Sequence, residues 1–404
     1  MPSFEAQSGA GGLGLTMAEY IPIIQTERDC RIWSRLYSGS PIARVSLETL
    51  PKTSKHVQGA RLWIDAGIDG LENWPTINES FRQYLGTLQS VDRIVDPQFQ
   101  ARPTPEVIGN FVKSALDRVL AFSNTDWISV PQLPCIKDAS RNRINRLLAS
   151  QADAWKSTTR FAGDFIVPVV ITHSSQIKLK AERTKRIDNA LAAVDLSKAA
   201  GVWIVDASLY DQDGSSSLEA YRFGSLVALH EELLAKAQRD LKVISGPYWG
   251  LNLVLWCRGL ATHPAIGLGN SYQYHLAGGF AKAAKSRVAL PGLRRWAVAN
   301  PQLRAWLENT IEMVAPTETA HSEMLTLLRH FSQLSVDGRM QVATYYQQWL
   351  SRLSDTPNAG RSLALYQDLS SAYVLGKGLP DLPSGEGTAR RPERVAKQLM
   401  LFCL

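Results

Sequence analysis

The sequence lacks the features that would place the protein in a membrane or carry it out of the cell. No apolar run reaches the length of about 18 residues that a membrane-spanning helix requires. Residues 1–16 are rich in Gly, Ser and Ala but contain neither the basic nor the apolar segment of a secretory signal. We therefore predict a cytoplasmic protein without a membrane partner and with a disordered tail over residues 1–16.

Motifs for metals and cofactors are also missing. The four cysteines are widely separated, so no C-x-x-C pair or zinc-ligand spacing exists. The sequence has no H-E-x-x-H pair, P-loop, G-x-S-x-G elbow or kinase signature. The segment GLGN at 267–270 lacks the third glycine of a dinucleotide-binding fingerprint. We accordingly predict neither a metal site nor a bound cofactor.

The sequence does contain short apolar runs rich in Val and Ile, separated by stretches with helical periodicity. The eight runs are YIPIIQ (20–25), IARVSLE (42–48), RLWID (61–65), WISVPQL (127–133), FIVPVVIT (165–172), GVWIVD (201–206), LKVISG (241–246) and PAIGLG (264–269). Strands that are apolar on both faces and alternate with helices are typical of a parallel sheet covered by helices. The pattern predicts an α/β fold, a parallel (β/α)8 TIM-type barrel over residues 17–299. The alternative is an open doubly wound α/β sheet.

Two features of the chain suggest partners. From about residue 300 the pattern changes to amphipathic helices, which predicts a helical C-terminal subdomain over 300–404 that packs on the barrel or on a protein partner. Lys and Arg number 44 against 37 Asp and Glu, and the net charge of +7 favours nucleic acid or a phosphorylated small molecule. Basic residues cluster at 137–146 and 178–186, in helices that follow neighbouring predicted strands. Their alternative role is as solvated outer helix faces.

Two aspartates end predicted strands and are the main catalytic candidates. Asp65 closes LWID and Asp206 closes WIVD. The carboxyl ends of barrel strands meet at one rim, so we predict that the two carboxylates lie together and divide acid, base or nucleophilic roles. The alternative is structural, because an aspartate in this position often caps a helix or closes a turn.

Other polar residues follow the strands at the same predicted rim. His173 follows the VVIT segment and is a candidate general base or phosphate contact, with a hydrogen-bonded surface histidine as the alternative. Gln25 and Glu48 close the first and second runs, and Gln132 closes the fourth, with Lys137 shortly after it. We predict that Gln25, Gln132 and Lys137 contact the substrate.

Two segments combine glycine with aromatic residues: GPYW at 246–249 and GLGNSYQYHLAGG at 267–279. Loops after the last two strands of a barrel often bind phosphate, and aromatic rings stack on sugars or bases. We therefore predict substrate contacts from Tyr248, Trp249, Asn270 and Tyr272, with Tyr274 as a further stacking candidate. The alternative is that these aromatic side chains pack the C-terminal helices against the barrel.

The segment IDAGIDG (64–70) and the second of these segments are similar, over a handful of residues, to tRNA-guanine transglycosylases. The zinc-binding Cys/His cluster of that family has no counterpart here, and we assign the sequence to no family. The residues together predict a TIM-barrel enzyme that uses rim carboxylates on a nucleotide, nucleic-acid or sugar substrate, in glycosyl-bond hydrolysis or transfer. The alternative from another class is a non-catalytic module that binds nucleic acid or a protein.

Overall fold

The computed structural model of the chain describes residues 20–37, 42–53, 56–57, 59–68, 70–71, 79–134, 139–209, 218–237, 240–268, 274, 286–383 and 390–404. The tail predicted over residues 1–16 lies outside this part of the chain. No described helix is long and apolar enough to cross a membrane.

Eight parallel strands form a closed barrel in chain order. They are β1 (Ile21–Ile24), β2 (Ala43–Ser46), β3 (Leu62–Asp65), β4 (Thr125–Ser129), β5 (Asp164–Ile171), β6 (Gly201–Asp206), β7 (Lys242–Ser245) and β8 (His263–Gly267). The sheet closes because β1 pairs with both β2 and β8. Each predicted apolar run overlaps one strand, so the predicted TIM-type barrel is confirmed and the open sheet is excluded.

Helices follow the strands and continue after the barrel. In chain order they are α1 (Glu27–Leu36), α2 (Leu50–Thr53), α3 (Glu79–Gly86), α4 (Val91–Val95), α5 (Pro97–Ala101), α6 (Pro105–Leu116), α7 (Ala139–Thr159), α8 (Ser175–Lys178), α9 (Lys180–Ser197), α10 (Leu218–Lys236), α11 (Leu251–Cys257), α12 (Pro301–Thr310), α13 (Thr319–Arg329), α14 (Phe331–Val336), α15 (Arg339–Ser354), α16 (Asn358–Lys377) and α17 (Arg394–Met400). Because each barrel helix starts from a loop after a strand, the first turns of α7 and α9 lie towards the carboxyl ends of the strands.

Alternation along the strands divides the barrel residues between two cores. Successive side chains of a strand point to opposite faces of the sheet. Trp63, Trp127, Trp203 and Val205 belong to the core inside the barrel, whereas residues such as Ile204 belong to the core between the sheet and the helices. The centre of the barrel is therefore filled largely by tryptophan rings and is not an open channel.

An antiparallel hairpin, β9 (Arg287–Leu290) and β10 (Arg295–Val298), lies between the barrel and the C-terminal helices. It packs with α12 and α13 in a core of its own, although our sequence analysis placed everything up to residue 299 in the barrel. Helices α15, α16 and α17 contribute to the same core as the outer face of the barrel. Their attachment includes the Tyr346 hydroxyl, which donates to Asn252 Oδ1 at 2.7 Å. The division of the chain at residue 300 stays a prediction.

Candidate functional site

The predicted catalytic residue Asp65 lies at the carboxyl end of β3 and is paired with an arginine inside the barrel. Asp65 has the same parity as Trp63, so its side chain faces the barrel interior. Arg44 of β2 has the same orientation, and its Nη2 donates to Asp65 Oδ2. Both residues are only 4% exposed. Burying an ion pair of this kind costs free energy, and removing one partner strongly destabilises the folded protein.

Aromatic rings surround the Arg44 side chain. The centre of its guanidinium lies 4.1 Å from the ring centroid of Trp203 and 5.6 Å from that of Trp63. Trp203 in turn packs edge-on against Trp63 at 5.1 Å and against Tyr274 at 5.2 Å. Cation–π contacts in a desolvated setting contribute about 2 kcal/mol or more. The aromatic rings therefore fix the guanidinium, which in turn orients the Asp65 carboxylate.

The indole nitrogens of this group are satisfied, which keeps its geometry fixed. Trp63 Nε1 donates to Ser129 Oγ at 3.0 Å, and Trp203 Nε1 donates to the carbonyl of Gly246 at 2.8 Å. These bonds connect β3 to β4 and β6 to the end of β7. The tryptophans are held by hydrogen bonds as well as by packing, so the Arg44–Asp65 pair rests on a rigid base.

A nearly closed cleft of about 10 Å³ lies beside Asp65, between the carboxyl ends of β3, β4, β5 and β6. Its polar groups come from Asp65 and Gln132, and its apolar walls come from Val130, Pro168 and Trp203. That volume holds about one water molecule, so a ligand ring enters only if neighbouring side chains such as Trp203 move aside. Gln132 is anchored at its edge, because its Nε2 donates to the carbonyls of Pro131 at 2.9 Å and Asn145 at 3.0 Å.

Asp206, the second predicted catalytic carboxylate, faces the other side of the barrel wall. It is one residue beyond the inward-facing Val205 and pairs in register with Ile171, which belongs to the outer core. Its Oδ1 accepts from Ser208 N at 2.8 Å and from Ser208 Oγ at 2.6 Å, which closes the turn after β6. The structure therefore does not bring Asp206 and Asp65 together, because their side chains point to opposite faces of the sheet.

Burial raises the pKa of Asp206, while Ser208 and the charge of Arg222 oppose the shift. Its Oδ2 is buried and has no hydrogen-bond partner among the described residues. Burial also raises the pKa of Tyr248, and the charge of Asp206 adds to that effect. The ionised form of Asp206 is thus poorly compensated in the folded protein.

We predict that Asp206→Asn does not destabilise the protein at neutral pH. The raised pKa means that folding favours the protonated form, so ionisation above the ordinary Asp pKa of about 3.9 lowers stability as the pH rises. Asparagine keeps the acceptor for Ser208 and removes the charge. The free energy of unfolding at about pH 7, measured by urea denaturation, should be unchanged or higher. A loss above about 2 kcal/mol would contradict this prediction.

Two other predicted rim residues have local structural contacts. His173 is exposed, and its Nδ1 lies 2.9 Å from Ser175 Oγ and accepts from Ser175 N at 3.2 Å. The backbone N–H of Gln25 donates to Asp29 Oδ2 at 2.9 Å, at the start of α1. Ile21 and Ile23 point into the barrel, and side chains alternate along a strand, so the Gln25 side chain also faces the barrel interior, at its mouth. His173 instead lies in the turn that leads into α8.

The predicted aromatic contacts divide between the barrel wall and the C-terminal helices. Tyr248 is buried, and its hydroxyl donates to the carbonyl of Ile204 at 3.3 Å. Trp249 stacks on Tyr345 at 6.3 Å and donates from Nε1 to the carbonyl of Arg294 at 3.0 Å. Trp249 therefore packs the barrel against the C-terminal helices, which was the alternative to substrate binding. Three further predicted contacts, Lys137, Asn270 and Tyr272, lie outside the described residues.

The described parts of the basic clusters predicted from the sequence lie on α7 and on α8 and α9, and α7 packs side by side with α9. Several cations of α9 are paired: Arg183 with Glu232 at 2.7 Å, and Arg186 with Glu182 at 3.4 Å. Exposed cations nearer the mouth are Arg143, Arg146, Lys178 and Lys180. Beside them Tyr221 of α10 is 47% exposed, and its ring lies 5.6 Å from Lys178 Nζ. We refer to these five residues, which lie on helices that contact one another in sequence from α7 to α10, as the basic patch.

Sequence reasoning missed Arg44, which is central to the site. A signal was present: an arginine in the middle of the apolar run IARVSLE must find an anionic partner if the strand is buried. In the described part of the chain no group of three or more His, Cys, Asp or Glu residues is arranged to hold a metal. A scan of family models finds none that matches the chain, and a search of curated proteins finds no relative.

Proposed function

We propose that the protein is a barrel enzyme that acts on a ring-bearing, anionic substrate at the carboxyl ends of its strands. The observation that carries the proposal is the Asp65 carboxylate, held by Arg44 on the face of Trp203 and beside a small cleft at the mouth of the barrel. Among the described residues Arg44 contacts Oδ2 alone, so Oδ1 is the oxygen that a substrate would meet. A site of this design supplies an oriented negative charge in a desolvated environment.

Cleavage or transfer of a glycosyl bond is the reaction that best uses these groups. Positive charge develops at the anomeric carbon in such reactions, and a carboxylate either stabilises it or attacks that carbon. We assign this role to Asp65. The apolar walls of the cleft, Val130 and Pro168, would contact the ring of a base or sugar.

Glu48, directly after β2, is our candidate for the proton donor to the leaving group. Ser46 at the end of β2 pairs in register with Asp65, and Glu48 follows two residues later. Burial raises the pKa of the Tyr84 hydroxyl, and the charges of Asp65 and Glu48 add to that effect. That hydroxyl donates at 2.8 Å to the carbonyl of Ala66, which lines the cleft. Glu48 thus takes the role for which the sequence suggested Asp206, since two acidic groups are needed to divide the acid and nucleophile roles.

Binding of labelled tRNA and single-stranded DNA across salt concentrations tests the substrate class. If Arg143, Arg146, Lys178 and Lys180 each contact one phosphate, log K should fall against log salt with a slope of about −3. The double variant Lys178→Ala/Lys180→Ala should reduce the slope to about −1.5. Lys198→Ala, at the other end of α9, removes an exposed cation that is paired with Asp153 and is the matched control. Absence of binding at low salt would exclude nucleic-acid polymers as substrates and leave phosphorylated nucleosides or sugars as the candidates.

The second candidate function is a non-catalytic module that binds nucleic acid or a protein. It is favoured by the basic patch with Tyr221, and by exposed apolar side chains on α16, Leu363 at 54% and Val374 at 68%. Basic grooves that include an aromatic ring bind single strands without doing chemistry. This candidate predicts that Asp65→Asn and Glu48→Gln leave the biological activity intact, whereas the enzyme proposal predicts that both reduce it.

A further inference from the structure

A second cleft lies among the C-terminal helices and takes no part in the proposed function. It has a volume of about 460 Å³ and opens between the turn Pro291–Leu293 and helices α13, α15 and α16. Its walls carry charges of both signs. The barrel mouth is built from β3–β6, so the two sites share no lining residue.

One wall of this C-terminal cleft is a network around Asp368. Arg294 Nη2 lies 3.4 Å from Asp368 Oδ1, and Arg352 Nη2 donates to Asp368 Oδ2. Trp349 Nε1 donates to the same Oδ2 at 3.2 Å. Arg294 also donates to the Tyr345 hydroxyl at 2.7 Å and has its guanidinium 5.2 Å from the Trp349 ring centroid. Asp368 and Arg294 thus each have several partners, which fix the position of this wall.

Arg352 is different, because much of its side chain remains open to the cleft. It is 55% exposed although it contacts Asp368. A guanidinium has five N–H donors and binds carboxylates through two parallel hydrogen bonds. Arg352 can therefore donate hydrogen bonds to a second carboxylate while it remains bonded to Asp368.

The opposite wall, on α13, is acidic. Glu323 accepts a hydrogen bond from the backbone N–H of Gly292, and Glu318 precedes the helix on the same side. Burial raises the pKa of Glu323 despite the nearby charges of Arg294 and Arg352, so its ionised form is under-compensated. A ligand cation beside Glu323 would compensate it. Between the charged walls, Ala320, Ala372 and Leu375 provide an apolar surface.

We propose that the C-terminal cleft binds a small apolar α-amino acid, with its carboxylate on Arg352, its ammonium group on Glu323 and its side chain on Ala372 and Leu375. A simple anion fits less well, because the lining carries three carboxylates against two guanidinium groups. A simple cation would leave the exposed donors of Arg352 unused. A zwitterion satisfies both walls at once.

Isothermal titration calorimetry with three matched ligands on the unmodified protein tests the proposal. Leucine carries both charges, isocaproate lacks the ammonium group and isoamylamine lacks the carboxylate. We expect leucine to bind and each analogue to bind at least about tenfold more weakly, because each analogue loses one hydrogen bond between charged groups. Absence of binding by leucine at millimolar concentration would overturn the proposal, as would equal binding of leucine and isocaproate.

Two variants locate the site. Arg352→Gln and Glu323→Gln should each weaken leucine binding at least about tenfold. Arg304→Gln and Glu308→Gln are the matched controls, because that surface pair on α12 has a similarly exposed arginine, also at 55%. If the control variants weaken binding as much as the cleft variants do, the ligand lies elsewhere and the assignment is wrong. Asp65→Asn should leave leucine binding unchanged, so failure at one site does not affect the other.

Discussion

Asp65→Asn is expected to remove most of the turnover while substrate binding persists. We expect kcat for release of a free base from tRNA or an oligonucleotide to fall by about 10²–10⁴-fold, the range typical of a positioned acid–base group. The amide oxygen still accepts the hydrogen bond from Arg44, but the buried guanidinium loses its counter-charge, so the variant should be less stable and urea denaturation must first show that it is folded under the assay conditions. The amide cannot attack the anomeric carbon or stabilise a full positive charge there. Single-turnover kinetics with enzyme in excess separate this loss from any change in binding.

Asp206→Asn is the matched control for that experiment. It makes the same chemical change at the end of another barrel strand, but the side chain lies behind the wall and is engaged by Ser208. We expect kcat to stay unchanged. Glu48→Gln should lower kcat and remove one limb of its pH profile, as expected for loss of a proton donor. Equal effects of the two aspartate substitutions would contradict the assignment of Asp65.

Arg44→Met should be among the most destabilising single substitutions in the barrel. It leaves the Asp65 carboxylate charged and buried without its partner, which costs about 3–5 kcal/mol. It also removes the cation from the face of Trp203. Urea denaturation at neutral pH measures the change in the free energy of unfolding.

The double variant Arg44→Met/Asp65→Leu distinguishes a lost partner from lost packing. Replacing both members of a buried ion pair by apolar residues is often neutral or stabilising. The double variant should therefore recover most of the stability lost in Arg44→Met, although it should have no activity. If the double variant is less stable than Arg44→Met, the charge pair does not explain the loss.

The barrel was predictable because its strands are buried on both faces and so form continuous apolar runs. The hairpin β9–β10 was not, because its segments RVAL and RWAV are short and begin with arginine. Arg295 is fully buried in the folded chain and donates from Nη1 to the carbonyl of Arg391 at 3.1 Å. That partner lies almost a hundred positions along the chain, so no local pattern indicates it.

The two strand-ending aspartates looked equivalent in the sequence, but parity separates them. In LWID the tryptophan and the aspartate are two residues apart, and in WIVD they are three apart. Both tryptophans face the barrel interior, so Asp65 shares that face and Asp206 does not. If the direction of either tryptophan side chain were known, the sequence would show which aspartate faces the barrel interior. Strand register relative to the barrel axis is set by tertiary packing, which a single sequence does not display.

A crystal structure of the protein soaked with nucleoside monophosphates tests the central claim most directly. We predict density for a ring in the cleft lined by Val130, Pro168 and Trp203, with a ligand atom within hydrogen-bond distance of Asp65 Oδ1, and the phosphate directed towards the α7 and α9 cations. The same soak of Asp65→Asn should keep the ring in place, since the apolar walls are unchanged. Density confined to other surfaces, with the Asp65 cleft still closed around Trp203, would contradict the account.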